Sequence, residues 1–197
     1  REGTTHQFYE DVGILSSIPN FTILTPADGA QAYHAVKAAV EIPGPVYVRA
    51  GSGREVDVYE KDVPFSMDGI RILKEYGDDT LLLSSGFVLS RVLKAAELLK
   101  EQGINVTVGD VNIINAKDPS KVIEEIKKAK RIVTVEDHNV NGGMGAYISK
   151  LVVENDPKPV HRIGLTTFGE SGPADQVADK YGFSPENIAK VVAENIK

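Results

Sequence analysis

Cysteine and tryptophan are both absent from this sequence of 197 residues. Without cysteine, the chain cannot form a disulfide scaffold, a thiolate zinc site or a cysteine nucleophile. No apolar run approaches the roughly 20 residues that a membrane helix needs, and no basic-then-apolar signal segment opens the chain. We therefore expect a fragment of a cytoplasmic protein, cut or processed at Arg1, that has no membrane partner.

Positive charge is also scarce. Lys and Arg number 22 against 28 Asp and Glu, which gives a net charge of −6 and a pI near 5.3. Aromatic residues make up only 7% of the chain, so neither a phosphate-binding nor a base-stacking surface for nucleic acid is expected. The remaining composition is that of an ordinary globular protein, with room for one large domain or two small ones.

Alternating strand and helix patterns predict an α/β fold. An apolar run at residues 21–24 precedes a helical pattern from Ala27, and residues 45–49 form the next strand. Thr25 is the expected N-cap of that helix, and Pro26 suits its first position. These elements predict one parallel, right-handed strand–helix–strand unit.

A second set of alternating elements follows a polar stretch near residues 51–67, which we interpret as a linker that carries short strands at most. This alternation predicts a doubly wound, mostly parallel sheet with helices on both faces. The predicted strands are 80–84, 104–111, 131–136 and 159–165, and the predicted helices are 87–100, 119–129, 144–153, 173–181 and 185–196.

Ligands of open parallel sheets gather at the carboxyl ends of the strands. Four polar groups occupy such positions: Arg49, residues 84–86, residues 110–112 and residues 136–138. Arg49 offers a planar fork for a phosphate or carboxylate, and its alternative role is a salt bridge to a nearby acid.

Three further features have two interpretations each. Glu136-Asp137-His138 could bind a metal or transfer protons, or it could simply cap turns. The glycines of residues 142–145 match neither the dinucleotide-binding nor the phosphate-loop pattern, so we expect them to allow a tight turn and close helix–sheet packing. His6 suits proton transfer near neutral pH, although a histidine in a loop is often only solvated.

The order of several short motifs resembles that of transketolase, over nearly the whole chain. The first series resembles the end of the pyrimidine-binding domain, and the second resembles the C-terminal domain. The whole is most similar to the separately encoded C-terminal subunit of split transketolases. The motifs of the first series are EGTTHQ (2–7), ED (10–11), LSSIPN (15–20), PAD (26–28) and GPVYVR (44–49). Those of the second are VEDH (135–138), GGMG (142–145), FGESG (168–172) and YGFSPENI (181–188).

The resemblance implies a domain organisation and an activity. Residues 1–51 would be the incomplete tail of a pyrimidine-binding α/β domain, 52–69 a linker, and 70–197 the C-terminal domain. The family transfers a two-carbon ketol unit between phosphorylated sugars, as in the pentose phosphate pathway, with thiamine diphosphate and magnesium. The chain would be inactive without an N-terminal transketolase section or subunit, and the complete enzyme would be a dimer or another homo-oligomer.

The resemblance also implies roles for three residues. His6 matches the histidine that contacts the sugar and helps proton transfer, and Arg49 matches the arginine that binds the substrate phosphate. Glu2 occupies the position of an aspartate that contacts a substrate hydroxyl, and it is one methylene longer. The glutamate that activates the cofactor lies upstream of Arg1 in the family. We therefore expect the cofactor and metal to be bound mainly outside this chain.

Other functions remain open at this point. The β subunit of a 2-oxoacid dehydrogenase E1 component and deoxyxylulose-phosphate synthase share the domain order. Arg49 and the Thr5-His6-Gln7 motif favour a phosphosugar enzyme, which the first of these is not. A hypothesis of another class is a non-catalytic assembly or regulatory domain, because the family assigns no catalytic group to the C-terminal region.

Overall fold

The computed structural model of the protein describes residues 6–51 and 55–196, which form two sheets with flanking helices. The N-terminal elements are α1 (Asp11–Ser16), β1 (Thr22–Leu24), α2 (Gly29–Glu41) and β2 (Val46–Val48). The next are β3 (Arg71–Glu75), β4 (Thr80–Ser84), a 3-10 turn (Gly86–Val88), α3 (Leu89–Glu101), β5 (Thr107–Asp110) and β6 (Ile113–Ile114). The last are α4 (Ser120–Lys128), β7 (Arg131–Asn139), α5 (Met144–Asn155), β8 (Val160–Leu165), α6 (Ala174–Lys180) and α7 (Pro185–Asn195). None of the helices in the described ranges is long and apolar enough to cross a membrane.

The larger sheet has five strands in the order β3-β5-β4-β7-β8. Strands β4, β5, β7 and β8 are parallel, and the edge strand β3 pairs with β5 in the antiparallel direction. The predicted α/β, mostly parallel architecture is therefore confirmed. The sequence analysis does not predict β3, because that strand mixes charged and apolar residues and none of them is fully buried.

Helices cover both faces of this sheet. Side chains alternate between the faces of a strand, and β4 shows this directly because its leucines enter two different cores. Leu82 packs in one hydrophobic cluster with residues of α3 and α7. Leu81 and Leu83 pack in a second cluster with residues of α4 and α5. The doubly wound arrangement therefore follows from a strand that is apolar on both sides.

The smaller sheet has three strands in the order β2-β1-β6. The parallel pairing of β1 with β2 confirms the predicted parallel strand–helix–strand unit. Strand β6, which comes from the chain between β5 and α4, pairs antiparallel with β1 and places Ile114 opposite Ile23. Ile23 and Val12 lie in the same buried cluster as Leu81. The N-terminal segment thus shares its core with the C-terminal part, and the boundaries at 51/52 and 69/70 stay a prediction.

The start of α2 differs from the prediction that Thr25 caps it. Asp28 is the N-cap, and its Oδ1 accepts a hydrogen bond of 2.8 Å from the backbone N–H of Gln31. The Thr25 hydroxyl instead donates to the carbonyl of Val111 at 2.9 Å. Thr25 is therefore used to join β1 to the segment before β6, and the helix begins one turn later.

Residues 55–69 form a packed segment without the short strands that the sequence analysis allowed. Asp28 Oδ2 accepts hydrogen bonds of 2.8 Å from the backbone N–H groups of both Val58 and Tyr59. The Tyr59 hydroxyl donates to Asp110 Oδ2 at 2.6 Å, and Asp110 lies at the end of β5. This segment therefore connects α2 to the larger sheet through buried hydrogen bonds, rather than acting as a loose linker.

The Asp110–Tyr59 contact predicts a pH dependence of stability. Burial raises the pKa of Asp110 to about 7, although the hydrogen bond from Tyr59 lowers it. Because the unfolded pKa is about 3.9, the contribution of Asp110 is greatest below that value and is lost as the pH rises through 7. In the unsubstituted chain, we expect the free energy of unfolding to fall by about 2–3 kcal/mol between pH 5 and 8 because of Asp110. We expect this fall to be absent in Asp110→Asn.

Urea titrations at several pH values measure this difference. The control is Asp57→Asn, which changes an exposed carboxyl in the same segment and should leave the pH dependence as in the unsubstituted chain. An identical slope for the unsubstituted chain and Asp110→Asn would show that Asp110 is ionised in the folded state at pH 5.

Candidate functional site

Arg49 lies directly after β2 and is paired with two carboxylates. Its Nε donates to Asp11 Oδ2 at 2.8 Å, and its Nη1 donates to Asp137 Oδ1 at 2.7 Å. Asp11 opens α1, whereas Asp137 belongs to β7 of the larger sheet. The side chain of Arg49 is 15% exposed. The salt bridge that the sequence analysis names as an alternative for Arg49 is therefore present, and phosphate binding by the same side chain stays a prediction.

Charge stabilises this cluster. Burial opposes ionisation of Asp137, but Arg49 and His138 together hold the pKa of Asp137 well below its usual range. Burial likewise opposes the charge of Arg49, and the two aspartates outweigh it and raise the pKa of the guanidinium. Arg49 and Asp137 are therefore ionised at every pH at which the protein is handled, and breaking their contact leaves a buried charge without its partner.

Asp11 has a second partner besides Arg49. The Tyr47 hydroxyl donates to Asp11 Oδ2 at 3.0 Å, and Asp11 is only 2% exposed. Burial and the neighbouring Asp11 raise the pKa of Tyr47, so its hydroxyl keeps the proton that it donates. Asp11 Oδ1 has no hydrogen-bond partner among the residues that the structure describes.

Glu136 and His138 support the N-terminus of α5. His138 Nε2 lies 2.8 Å from Glu136 Oε2, and both side chains are fully buried. Burial opposes protonation, but hydrogen bonds with Asp137 and Glu136 prevail and raise the pKa of His138. His138 Nε2 also lies 3.0 Å from the backbone nitrogen of Met144. Nε2 accepts the hydrogen bond from the backbone N–H of Met144 only when it carries no proton, whereas a hydrogen bond from Nε2 to Glu136 requires that proton, so the two contacts belong to different protonation states of this nitrogen.

The glycines that follow β7 allow very close packing. A Cβ on Gly142 would lie 2.7 Å from Gly13 Cα of α1, and a Cβ on Gly145 would lie 2.5 Å from Glu136 Oε1. The backbone N–H of Gly145 donates to Glu136 Oε2 at 3.0 Å. The expectation of a tight turn with close helix–sheet packing is confirmed.

The same packing tests whether these residues suit the implied cofactor. The space beside Gly143 is filled by the side chains of Glu136 and His138, which leaves no cradle for a diphosphate. Within residues 6–51 and 55–196, no group of three or more His, Asp or Glu side chains is arranged to hold a metal ion. The loop at residues 142–145 therefore does not fit the diphosphate.

His6 is exposed at the start of the described residues, and Glu2 lies outside them. The chain that follows His6 runs along the larger sheet. Gln7 Nε2 donates to the carbonyl of Glu170 at 3.3 Å, and the Tyr9 carbonyl accepts from the backbone of Asn139 at 2.8 Å. Burial raises the pKa of Tyr9, with Tyr181 and then Asp137 adding to the shift. The segment that carries His6 thus reaches the Arg49–Asp137 pair.

Comparisons with known proteins identify the family. The sequence profile described as "Transketolase, C-terminal domain" matches residues 68–188, and the profile "Transketolase, pyrimidine binding domain" matches residues 1–53. The chain belongs to the transketolase family. Its predicted resemblance to transketolase is therefore confirmed.

Relatives within the family include proteins of the split type. The chain is 34% identical to the "Putative transketolase C-terminal section" of Methanocaldococcus jannaschii over 100% of its own length and 62% of that protein. It is 33% identical to the 6-deoxy-6-sulfo-D-fructose transketolase subunit of Clostridium sp. MSTE9, over 98% and 60% of the two chains. A solved structure named "Split gene transketolase, inactive beta4 tetramer" matches with a TM-score of 0.88 and 29% sequence identity. The match covers 98% of this chain and 62% of that one. The chain thus spans about 60% of these relatives.

Two residues that contact Arg49 or its partners escape the sequence analysis. Asp11 appears there only as part of a motif, and Tyr47 only as a strand residue, although both contact each other and Asp11 binds Arg49. The one available signal is the position of Arg49 at a strand end, which predicts an acidic partner but does not identify it. Ser85 belongs to the predicted polar group at residues 84–86, and its buried hydroxyl has no partner among the described residues.

A separate cleft of about 540 Å³ lies between α3 and the C-terminal helices. Arg91 lines it, and its guanidinium binds Asp175 at 2.6 Å and Asp179 at 3.1 Å. Neither Arg49 nor His6 lines this cleft. The cleft is therefore separate from Arg49 and from His6.

Proposed function

We propose that this chain is the C-terminal part of a thiamine-diphosphate-dependent transketolase that transfers a two-carbon ketol unit between phosphorylated sugars in the cytoplasm. The observation that carries the proposal is the position of Arg49. In a chain of this family, a guanidinium lies at the carboxyl end of β2, beside the segment that carries His6. The names of the split-type relatives support the same conclusion.

Each proposed residue acts on a different part of the sugar. Arg49 binds the terminal phosphate, because a guanidinium fork matches phosphate oxygens. His6 transfers protons near the reacting carbons, and its exposed position gives it access to a ligand. Glu2 contacts a substrate hydroxyl. The phosphate contact discriminates between substrates, and the proton transfer affects the rate of the chemical step.

The cofactor and magnesium belong to parts of the enzyme outside this chain. The loop at residues 142–145 offers no cradle for a diphosphate, and the described residues include no group of three or more side chains arranged to hold a metal ion. The smaller sheet supports this division, since it pairs three strands within residues 6–51 and 55–196 and β2 lies at its edge. We propose that an N-terminal section or subunit supplies the diphosphate-binding domain, and that the complete enzyme is a homo-oligomer, most simply a dimer.

Reconstitution tests this division of labour. We expect residues 1–197 alone to show no ketol transfer and no thiamine diphosphate binding in calorimetric titrations with magnesium. Addition of the diphosphate-binding section and the rest of the pyrimidine-binding domain should produce ketol transfer between phosphorylated sugars. Micromolar cofactor binding by the isolated chain would show that the cofactor site lies within it.

The same assay separates the other candidate functions. Pyruvate as the preferred donor would indicate one of the two related enzymes. Transfer of its two-carbon unit to glyceraldehyde 3-phosphate would indicate a deoxyxylulose-phosphate synthase, and no such transfer would indicate a 2-oxoacid dehydrogenase component. Full activity of the other sections without this chain would indicate an assembly or regulatory role. The solved relative is named as an inactive β4 tetramer, which is a state of that protein without activity. Activity that depends on both parts would support the transketolase proposal.

A further inference from the structure

We propose that Asp11 and Asp137 are positioning residues that orient Arg49 so that its Nη2 donates to the terminal phosphate of the sugar. The inference rests on the proposed function, and it assigns the C-terminal part a role in substrate binding. Asp137 lies within residues 68–188, the part that matches the family's C-terminal domain, whereas Arg49 lies within residues 1–53.

Three separate elements meet at the guanidinium. Arg49 itself follows β2, Asp11 approaches Nε from α1, and Asp137 approaches Nη1 from β7. An arginine side chain has several rotatable bonds, and much of its freedom must be lost before it can bind a ligand in one geometry. Two carboxylates on two different nitrogens define both the position and the plane of the group, so this loss precedes substrate binding.

Asp137 is itself held in place. It lies in β7 beyond Val135, the last residue that pairs with β4, and within the irregular stretch between Val135 and Asn139 in the pairing with β8. Its Oδ1 lies 3.4 Å from His138 Nδ1, and the other ring nitrogen of His138 contacts Glu136. Gly86, the first residue of the turn before α3, lies beside this pair: a Cβ there would be 3.9 Å from both Arg49 Nη1 and Asp137 Oδ1. The carboxylate is therefore held by its contacts with Arg49 and His138 and by the close approach of Gly86, not by regular strand pairing.

One nitrogen of Arg49 remains for a ligand. Among residues 6–51 and 55–196, no side chain or backbone group accepts a hydrogen bond from Nη2. The side chain is 15% exposed, so a ligand can reach it. Nη2 carries two of the five N–H donors of the group. A phosphate oxygen at Nη2 therefore needs no movement of either aspartate.

The competing possibility is that Asp137 occupies the place of the phosphate and has to leave when substrate binds. Its side chain is only 14% exposed, and its Oδ1 contacts both Arg49 and His138. Departure would separate this largely buried carboxylate from Arg49 and His138, which is costly, although the guanidinium would still be paired with Asp11 and the phosphate. The two possibilities predict opposite changes in KM when the charge of Asp137 is removed.

The test is a kinetic comparison in the reconstituted enzyme. We expect Asp137→Asn and Asp11→Asn each to raise KM for phosphorylated donors about tenfold, with kcat within about twofold, since the contact is made in ground and transition states alike. KM for non-phosphorylated donors should change by less than about twofold, because those substrates do not use Arg49. Asp137→Glu keeps the charge but displaces it, and should give an intermediate KM.

Two outcomes would overturn the proposal. A lower KM for phosphorylated donors in Asp137→Asn would show that the carboxylate competes with the phosphate. An equal rise in KM for both kinds of donor would show that the ion pairs only maintain the fold. Asp175→Asn is the matched control, since it also removes a carboxylate from an arginine, at a residue remote from Arg49. Its kinetics should equal those of the unsubstituted enzyme.

A measurement on the chain alone separates this proposal from the proposed function. In ¹⁵N NMR spectra of residues 1–197, the Nε–H of Arg49, assigned through its loss in Arg49→Lys, should be a sharp signal that exchanges slowly. It should broaden or disappear in Asp11→Asn, and the substitution at Asp137 should shift it. A mobile Arg49 in the unsubstituted chain would contradict the positioning role, whatever the activity. Absence of ketol transfer together with a rigid Arg49 would contradict the proposed function alone.

Discussion

Replacing His6 with alanine lowers kcat of the reconstituted enzyme by about 10²–10⁴, the usual range for the loss of a general acid or base. His6 is proposed to move protons near the reacting carbons, and alanine has no group that can do so. Steady-state kinetics with phosphorylated donor and acceptor measure the effect. KM should change much less than kcat, because His6 is proposed to act mainly in the chemical step.

The control for this substitution is His34→Ala. His34 lies on α2, where its Nε2 is 2.9 Å from the carbonyl of Lys61, and it takes no part in the proposed site. Its replacement should leave kcat unchanged. If His6→Ala also retains kcat, His6 does not transfer protons in this enzyme, and its match to the family's histidine does not extend to its role.

Arg49→Ala should produce the second large effect. Loss of a charged hydrogen bond from a largely buried site costs about 2–4 kcal/mol of transition-state binding, or about 30- to 1,000-fold in kcat/KM. Most of this should appear in KM for phosphorylated donors, because the phosphate is bound in both ground and transition states. Non-phosphorylated donors should lose far less. Initial-rate measurements with matched donor pairs give this comparison directly.

The chain offers a well-matched control in Arg91→Ala. Arg91 is as buried as Arg49, with 14% of its side chain exposed, and it too binds two aspartates. It lines the cleft between α3 and the C-terminal helices instead of the proposed site. Arg91→Ala therefore reproduces the loss of a paired arginine without the loss of a phosphate ligand. Equal effects of Arg49→Ala on phosphorylated and non-phosphorylated donors would show that Arg49 forms only structural ion pairs and does not bind the phosphate.

Elements with strong local signals are the ones that sequence analysis locates well. The apolar run at 80–84 is observed as β4, Thr80–Ser84. The Ser-Pro start of the last helix is observed as well, with Ser184 accepting a hydrogen bond of 3.2 Å from the backbone N–H of Asn187. In both cases the residues that decide the structure are neighbours in the chain, so a short window contains all the relevant information.

Elements whose stability comes from distant partners are missed. Helix α1 has six residues and β6 has two, too few for a periodic pattern. Strand β3 has mixed polarity at the sheet edge and is specified by its pairing with β5. The packing of residues 55–69 depends on Asp28 and Asp110, whose positions cannot be read from the polar composition of that segment.

The amino-acid sequence alone determined the α/β class, the family resemblance and the position of Arg49 at the end of a strand, because each depends on local order along the chain. Only the tertiary structure decided what Arg49 contacts. Asp11 lies 38 residues before it and Asp137 lies 88 residues after it. No periodicity links residues so far apart, and their meeting depends on how α1, β2 and β7 are placed by the shared core.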